Sequence, residues 1–219
     1  MNPETELLYD PEPRWPAFVA VLAVGGLYTG LPPQLTVGPR WAFFVFVLAL
    51  LVPAVVMHAR KYHGIDRILG FSITVLVTVA LVVSVILLIG ALPKHTETPA
   101  QLLASAGSLW LTNILVFALW YWRLDAGGPH GRDRRRFHTD GAFLFPQMTM
   151  SPAAKREAGE ENWSPNFFDY LFVAFNTSTA FSPTDTPVLA RWAKVLGMLQ
   201  SLISLTVLAL LAARAVNIL

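Results

Sequence analysis

The sequence predicts an all-α membrane protein with about five transmembrane helices plus a short re-entrant pore helix and loop. Its 219 residues are 54% hydrophobic and only 14% charged, and the mean hydropathy is +0.52. A soluble domain has about 45–50% apolar and about 25% charged residues. The net charge of +2 gives no indication of nucleic-acid binding, and the absence of cysteine excludes disulfides and thiolate chemistry.

Four apolar segments precede residue 123 and predict a four-helix membrane scaffold over residues 15–122. They are the runs 15–31, 41–57, 71–92 and 102–122. The first is the weakest because Gly25, Gly26 and Gly30 lower its helix propensity. Pro53 predicts a kink in the second helix. Residues 1–14 form an N-terminal tail that lacks the basic start of a signal peptide.

Residues 123–164 are polar and are expected to form a loop on the membrane surface. The basic run 132–136 and the earlier basic loop 58–67 are expected to contact anionic lipid. His58, His63 and Asp66 offer metal-binding groups, but their spacing matches no zinc pattern, so lipid contact is the preferred interpretation. His138 and Asp140 could act as an acid–base pair only if another segment completed the site.

The pattern changes after residue 164 and defines a last segment, 165–219. Residues 166–177 predict a helix too short to span a membrane, with Ser164 as N-cap and Pro165 at its first position. Residues 177–187 predict an irregular stretch, and a long helix follows from about residue 188. Irregular backbone at membrane depth is tolerated only inside protein or beside a wet cavity, which indicates a pore or binding site. The alternative is a surface helix, a loop and an ordinary spanning helix.

Residues 168–196 resemble the pore helix, filter and start of the inner helix of two-transmembrane potassium-channel modules. These residues carry a resemblance that extends over about 50 residues of the last segment, and it implies a homotetramer that passes monovalent cations, with the fourth helix as the outer helix. The whole chain also resembles a bacterial multi-pass membrane family of unassigned function. Asp169, at the start of the short helix, is either a polar anchor behind the filter or a first-turn acid on the helix dipole.

The filter departs from the potassium pattern, which is Thr-Val-Gly-Tyr-Gly. The aligned residues 178–182 contain no glycine, so the potassium-type ladder of carbonyls is not expected. The candidate pore and filter residues are instead Thr177, Ser178, Thr179, Ala180, Phe181, Ser182, Thr184 and Asp185. Gln200 and Ser204 share a face of the last helix and are candidates for lining the pore, with helix–helix hydrogen bonding at a subunit contact as the alternative.

The distribution of basic residues predicts the orientation in the membrane. Five helices would place thirteen of the 16 lysines and arginines on one side, with Arg40, Lys94 and Arg214 on the other. The positive-inside rule then puts the amino terminus and the loops 58–67 and 123–166 in the cytoplasm. The pore helix would therefore enter from the cytoplasm, inverted relative to potassium channels.

These observations favour an oligomeric cation channel, not selective for potassium, in a bacterial inner membrane. The alternatives are a non-conducting scaffold or sensor that retains a pore-loop fold, and a small-molecule transporter. An enzyme is not expected, because no nucleophile motif or phosphate-binding glycine loop occurs. No cofactor or metal is expected.

Overall fold

The computed structural model of the protein describes residues 12–60, 62–91, 98–135, 138–182 and 185–216. The described chain is helical, and its only extended pairing is an isolated bridge between Phe143 and Val188. The helices are α1 (Trp15–Thr29), α2 (Arg40–Ala59), α3 (His63–Ala91), α4 (Pro99–Leu124), α5 (Pro129–Arg132), α6 (Pro146–Thr149), α7 (Pro152–Glu157), α8 (Phe167–Thr179) and α9 (Arg191–Val216).

Four helical stretches are long and apolar enough to cross a membrane. They fall on α2, on α3, on α4 with the turns after it, and on α9. The chain therefore has the architecture of a helical membrane protein, as predicted. Helix α1 is apolar but has only 15 residues, so a fifth crossing remains a prediction.

Local sequence signals account for the helix boundaries. Proline stands in the first turn of α1, and Gly30 follows its last residue. A capping box begins α4, where Thr98 Oγ1 accepts from the Gln101 amide at 3.3 Å and Gln101 Oε1 accepts from the Thr98 amide at 3.0 Å. The first turns of α3 contain His63, Asp66 and Arg67, so the helix begins before the apolar run that the sequence shows from residue 71.

Helix α4 is the centre of the molecule and packs against α1, α3, α8 and α9, whereas α2 packs on α1 and α3. One stretch of α4 is buried on every side, at residues Val116, Phe117, Ala118 and Leu119. A helix that is apolar all round is expected at such a position. Helices α8 and α9 are thus held by the most deeply buried element of the chain.

The stretch 123–164, predicted as a surface loop, folds against the ends of the helices. Phe143 and Phe145 have exposed fractions of only 1% and 3%. The Phe145 ring packs edge-on against Trp163 and Tyr170, with centroid distances of 5.5 Å in both cases. The aromatic residues explain the difference, because they anchor an otherwise polar stretch to the first turn of α8.

Candidate functional site

Helix α8 lies alongside the second half of α4 and runs in the opposite direction. Near its start, Phe167 packs against Trp122, with ring centroids 5.9 Å apart. Nearer its end, Phe175 packs against Trp110 at 6.1 Å. Helix α8 therefore begins at the carboxyl end of α4 and ends beside the middle of that helix.

A capping box fixes the start of α8, but at a different residue from the one predicted. The N-cap is Asn166, not Ser164, and its side chain accepts from the Phe168 amide at 2.8 Å. Asp169 Oδ2 accepts from the Asn166 amide at 2.8 Å. Asp169 is thus a first-turn acid that caps the helix, as one of the two interpretations held.

After α8 the chain returns to the end of α4 at which α8 began. The Leu189 amide donates to the Ala142 carbonyl at 2.7 Å, and the Leu144 amide donates to the Pro187 carbonyl at 2.9 Å. These bonds flank the bridge between Phe143 and Val188. Residues 187–190 therefore lie beside residues 142–144 and lead into α9.

Asp125 joins both ends of this unit. Its side chain is completely buried and accepts from the Ala142 amide and, at 2.7 Å, from the Tyr170 hydroxyl of α8. A Cβ atom at position 141 would lie 2.8 Å from Asp125 Oδ1, which accounts for Gly141. Arg132 Nη1 donates to the carbonyl of Asp125 at 3.0 Å. One buried carboxylate thus fixes α4, α8 and the strand-like segment that returns from the loop.

Gln200 joins α9 to α8 and α4. Its Nε2 donates to the Ala174 carbonyl at 2.6 Å and to Ser178 Oγ at 2.8 Å, and its Oε1 accepts from the Tyr121 hydroxyl at 2.7 Å. Its exposed fraction is 0%. Both polar atoms of the Gln200 side chain, Nε2 and Oε1, therefore have hydrogen-bond partners within the chain, as burial requires.

Asn113 of α4 extends this polar contact along α9. Its Nδ2 donates to the Gln200 carbonyl at 3.0 Å and to Ser204 Oγ at 2.8 Å. Gln200 and Ser204 share one face, as predicted, but both are fully buried against α4 and α8. The two side chains therefore join helices within one chain, which differs both from pore lining and from the subunit contact considered as the alternative.

The predicted filter residues divide into a buried and an exposed group. Helix α8 continues two residues beyond its predicted end at 177, so Ser178 and Thr179 are helical rather than irregular. Thr177 and Ser178 are buried, and Thr177 Oγ1 donates to the Val173 carbonyl at 2.8 Å. Thr179 Oγ1 likewise donates to the Phe175 carbonyl at 2.9 Å, and Ser178 Oγ accepts from Gln200, so each of these hydroxyl groups has a partner within the chain.

The exposed group of filter residues lies on the returning segment and just before it. It consists of Thr179, Ala180, Phe181, Ser182 and Asp185. Phe181 has a φ of 54°, a left-handed conformation that is uncommon for a bulky residue and marks the turn of the chain. Thr184 lies outside the described residues.

A cavity of about 500 Å³ opens between α8, α9 and the returning segment. Thr177 and Phe181 line one wall, and Gly197 and Ser201 of α9 line the other. The remaining lining residues are mostly apolar. The cavity lies directly behind the exposed tip at Phe181.

Away from α8, His58, Asp66 and His130 meet where α2, α3 and α5 come together. Asp66 Oδ2 lies 3.2 Å from His58 Nδ1 and 2.8 Å from His130 Nε2. The three residues offer ligand atoms within 4.8 Å of one another, an arrangement that could hold a metal ion. Sequence spacing could not indicate His130, which is 64 residues from Asp66. The side chain of His63 lies outside the description.

His138 and Asp140 do not form the acid–base pair considered from the sequence. Asp140 pairs with Arg135 at 2.8 Å, whereas His138 is buried 4.0 Å from Asp125 Oδ2. Among the described residues, neither ring nitrogen of His138 has a hydrogen-bond partner. Burial lowers the pKa of His138, an effect that Asp125 opposes and Arg132 strengthens.

The four long apolar helices, joined by hydrogen bonds between α4, α8 and α9, define a helical membrane protein. The chain matches no protein-family model, no curated protein and no solved structure in the comparisons made.

Proposed function

We propose that the protein is a channel-like membrane protein in which α8 is a re-entrant pore helix, residues 180–190 are the filter segment and α9 is the inner helix. One relationship carries this proposal: the segment that follows α8 returns to Ala142, next to the end of α4 at which α8 began. A helix that enters from one side and a segment that leaves on the same side form a pore loop.

The dimensions of α8 support the proposal. Its 13 residues measure about 20 Å at about 1.5 Å per residue, which is less than the hydrocarbon core of about 30 Å. Phe175 near its end lies against Trp110, which is about 20 Å along α4 from Leu124 on the same rise. The tip of α8 would therefore lie at membrane depth.

An oligomer follows from the exposed tip. Irregular backbone inside a bilayer must be covered by protein or line a wet cavity. In a single chain, Thr179, Ser182 and Asp185 are exposed. A ring of copies, a tetramer by the resemblance, would bring these hydroxyl and carboxylate groups around a common axis. A ring of Asp185 carboxylates would concentrate cations.

The inner-helix face that we assign to the pore differs from the one expected. Because Gln200 and Ser204 are occupied inside the chain, the exposed face of α9 is the candidate. That face is apolar and includes Met198, Leu202 and Leu205. Apolar constrictions of this kind gate some channels by excluding water.

The direction of the loop follows from charge. The side at which α8 begins carries the basic loops, so we propose that α8 enters from the cytoplasm of a bacterial inner membrane, inverted relative to potassium channels. Selectivity for potassium is not part of the proposal, because the turn at Phe181 uses no glycine.

Cation flux into liposomes that contain the purified protein tests the proposal. We expect flux of potassium and sodium but not of a large organic cation, and Thr179→Trp should abolish it. Leu103→Trp is the matched control, because Leu103 is 63% exposed on α4, away from the loop. Asp185→Asn should reduce cation preference, whereas Glu157→Gln on exposed α7 should not. Unchanged flux in Thr179→Trp would contradict the assigned path.

A second candidate is a non-conducting scaffold or sensor with the same fold. The observation that favours it is Phe181, which is 46% exposed at the loop tip, where a ring of phenyl groups could close the axis. This candidate predicts a stable oligomer in the bilayer without flux, and flux after Phe181→Ala. A small-molecule transporter, by contrast, would show saturable exchange that depends on substrate on both sides.

A further inference from the structure

A basic cavity of about 270 Å³ lies where α1, α3 and α4 meet the turns after α4. Four arginines line it, namely Arg14, Arg67, Arg123 and Arg134. The lining contains one carboxylate, Asp66, whose Oδ2 faces His58 and His130. Four arginines against one carboxylate leave a net formal charge of +3 on the lining, with the histidines neutral, and the ion pair of Arg14 with Asp133 outside the lining reduces it to +2. Such a concentration of one charge indicates an anionic ligand.

Arg123 is built into this cavity by the helix beside it. Its Nε donates to Thr74 Oγ1 at 2.9 Å, and its guanidinium lies against Gly70 of α3. A Cβ atom at Gly70 would be 1.9 Å from Nη1, so any other residue there would require the guanidinium to shift. Within the described part of the chain, no hydrogen bond is recorded for the two Nη atoms. Gly70 of α3 therefore leaves space for the guanidinium of Arg123, whose Nη atoms remain available as hydrogen-bond donors.

Arg14 adds a second incompletely neutralised cation to the wall. Its exposed fraction is 6%, and its Nη2 pairs with Asp133. Its Nε and Nη1 are buried without a hydrogen-bond partner among the described residues. Buried donors without partners are rare and costly, and an anion in the cavity would offset their charge.

The size and the position of the cavity select the ligand. Its volume is at the small end of ligand pockets, which measure about 300–1,000 Å³, so a phosphate with a small substituent fits better than a nucleotide. The cavity lies at the ends of the membrane helices, and Phe18 and Phe71 line it together with the arginines. A phospholipid presents the same sequence of groups, with a phosphate next to apolar chains.

We propose that this cavity binds the phosphate group of an anionic phospholipid from the leaflet on the basic side of the protein. It is a specific pocket rather than a general attraction of the loops to anionic lipid, and it does not depend on whether the pore conducts. The same four arginines oppose a divalent cation at His58, Asp66 and His130, because that ion would face a wall of net positive charge.

Matched arginine substitutions test the pocket. Arg67→Gln and Arg134→Gln remove exposed cations from its lining, and Arg60→Gln and Arg135→Gln remove exposed cations of the same surface outside it. Binding of a short-chain phosphatidylglycerol to the detergent-solubilised protein is measured by calorimetry. We expect each lining variant to raise the Kd about fivefold and each control to change it less than about twofold. Equal effects of lining and control variants would overturn the pocket.

Two further titrations identify the source of the phosphate. Inorganic phosphate should bind far more weakly than phosphatidylglycerol, because it lacks the apolar part that faces Phe18 and Phe71. Phosphatidylcholine, whose net charge is zero, should also bind more weakly. Inorganic phosphate that binds as tightly as the lipid would overturn the assignment to a phospholipid. All variants are compared only where their thermal unfolding matches that of the unmodified protein.

Discussion

The hydroxyl of Tyr170 donates a 2.7 Å hydrogen bond to Asp125 Oδ2 and thereby joins the first turn of α8 to the end of α4. The same carboxylate accepts from the Ala142 amide, and the Ala142 carbonyl accepts from Leu189. The buried carboxylate of Asp125 therefore holds Tyr170, in the first turn of α8, directly, and it holds Leu189, in the returning segment, through Ala142. The geometry of the segment between them depends on this connection.

Replacing Tyr170 by phenylalanine is expected to lower the free energy of unfolding by about 1–3 kcal/mol, because the buried carboxylate of Asp125 loses a donor. Chemical denaturation in detergent measures this change. Tyr62→Phe is the control, because Tyr62 is 57% exposed, and we expect it to change stability by less than about 0.5 kcal/mol. Equal effects of the two variants would show that the bond to Asp125 contributes nothing.

Gln200→Met separates a packing role from a pore-lining role. It would leave the hydroxyl of Tyr121 and Ser178 Oγ without their Gln200 partner, at about 1–3 kcal/mol for each buried group left unpaired. Thermal unfolding should show a clear loss, and the ion preference of any flux should not change. Leu199 directly precedes Gln200 and is 48% exposed, so the control Leu199→Met should leave stability unchanged. A normal melting temperature with altered ion preference would return Gln200 to the pore wall.

Gly70→Ala should gain less stability than the helix propensity of alanine alone predicts, because the end of the Arg123 side chain must shift to make room. The added Cβ would lie 1.9 Å from Arg123 Nη1 and force the guanidinium out of its place. Gly107→Ala in α4 is the matched control, since nothing lies within 4 Å of its Cβ position. The control should gain up to about 1 kcal/mol from helix propensity. Equal stabilisation by the two substitutions, measured by denaturation, would contradict the position of Arg123.

His138 predicts a loss of stability in mild acid. Burial lowers its pKa below the usual value of about 6.5, so the unfolded chain takes up a proton that the folded chain does not. The contribution of His138 is therefore complete above about pH 6.5 and is lost as the pH falls below it. His138→Phe keeps an aromatic ring beside Trp163 but removes this proton uptake.

The melting temperature between pH 7 and pH 5 measures this effect. The unmodified protein should lose more stability over that interval than His138→Phe, while the carboxylates contribute equally to both. Parallel curves would mean that His138 is protonated as easily in the folded protein as in the unfolded one.

Hydrophobic runs were sufficient to locate the long helices, because length and apolarity are properties of each segment alone. The period of 3.6 residues also put Gln200 and Ser204 on one face. The period alone does not show whether this face points into the chain or toward a pore, because that depends on the positions of Asn113 and Tyr121 of α4.

Other relationships join residues that are far apart in sequence. Asp125 follows an apolar helix and resembles an ordinary loop acid, and nothing local indicates its contacts with Ala142 and Tyr170. The sequence predicts the N-cap of α8 at Ser164, because serine before proline is a common start of a helix. In the structure Asn166 and Asp169 form a capping box, so the N-cap lies two residues later in the chain than predicted.

The returning segment after α8 is the central claim, and single cysteines test it most directly. The sequence contains no cysteine, so each introduced thiol is the only one in the chain. Asp185→Cys, Glu157→Cys and Val37→Cys place thiols at exposed positions in the returning segment, on α7 and between α1 and α2. The protein in sealed vesicles is treated with a membrane-impermeant thiol reagent, applied to one side at a time. The account predicts that Asp185→Cys and Glu157→Cys react from the same side and Val37→Cys from the opposite side. Reaction of Asp185→Cys from the side of Val37→Cys would mean that α8 crosses the membrane, which would contradict the pore loop.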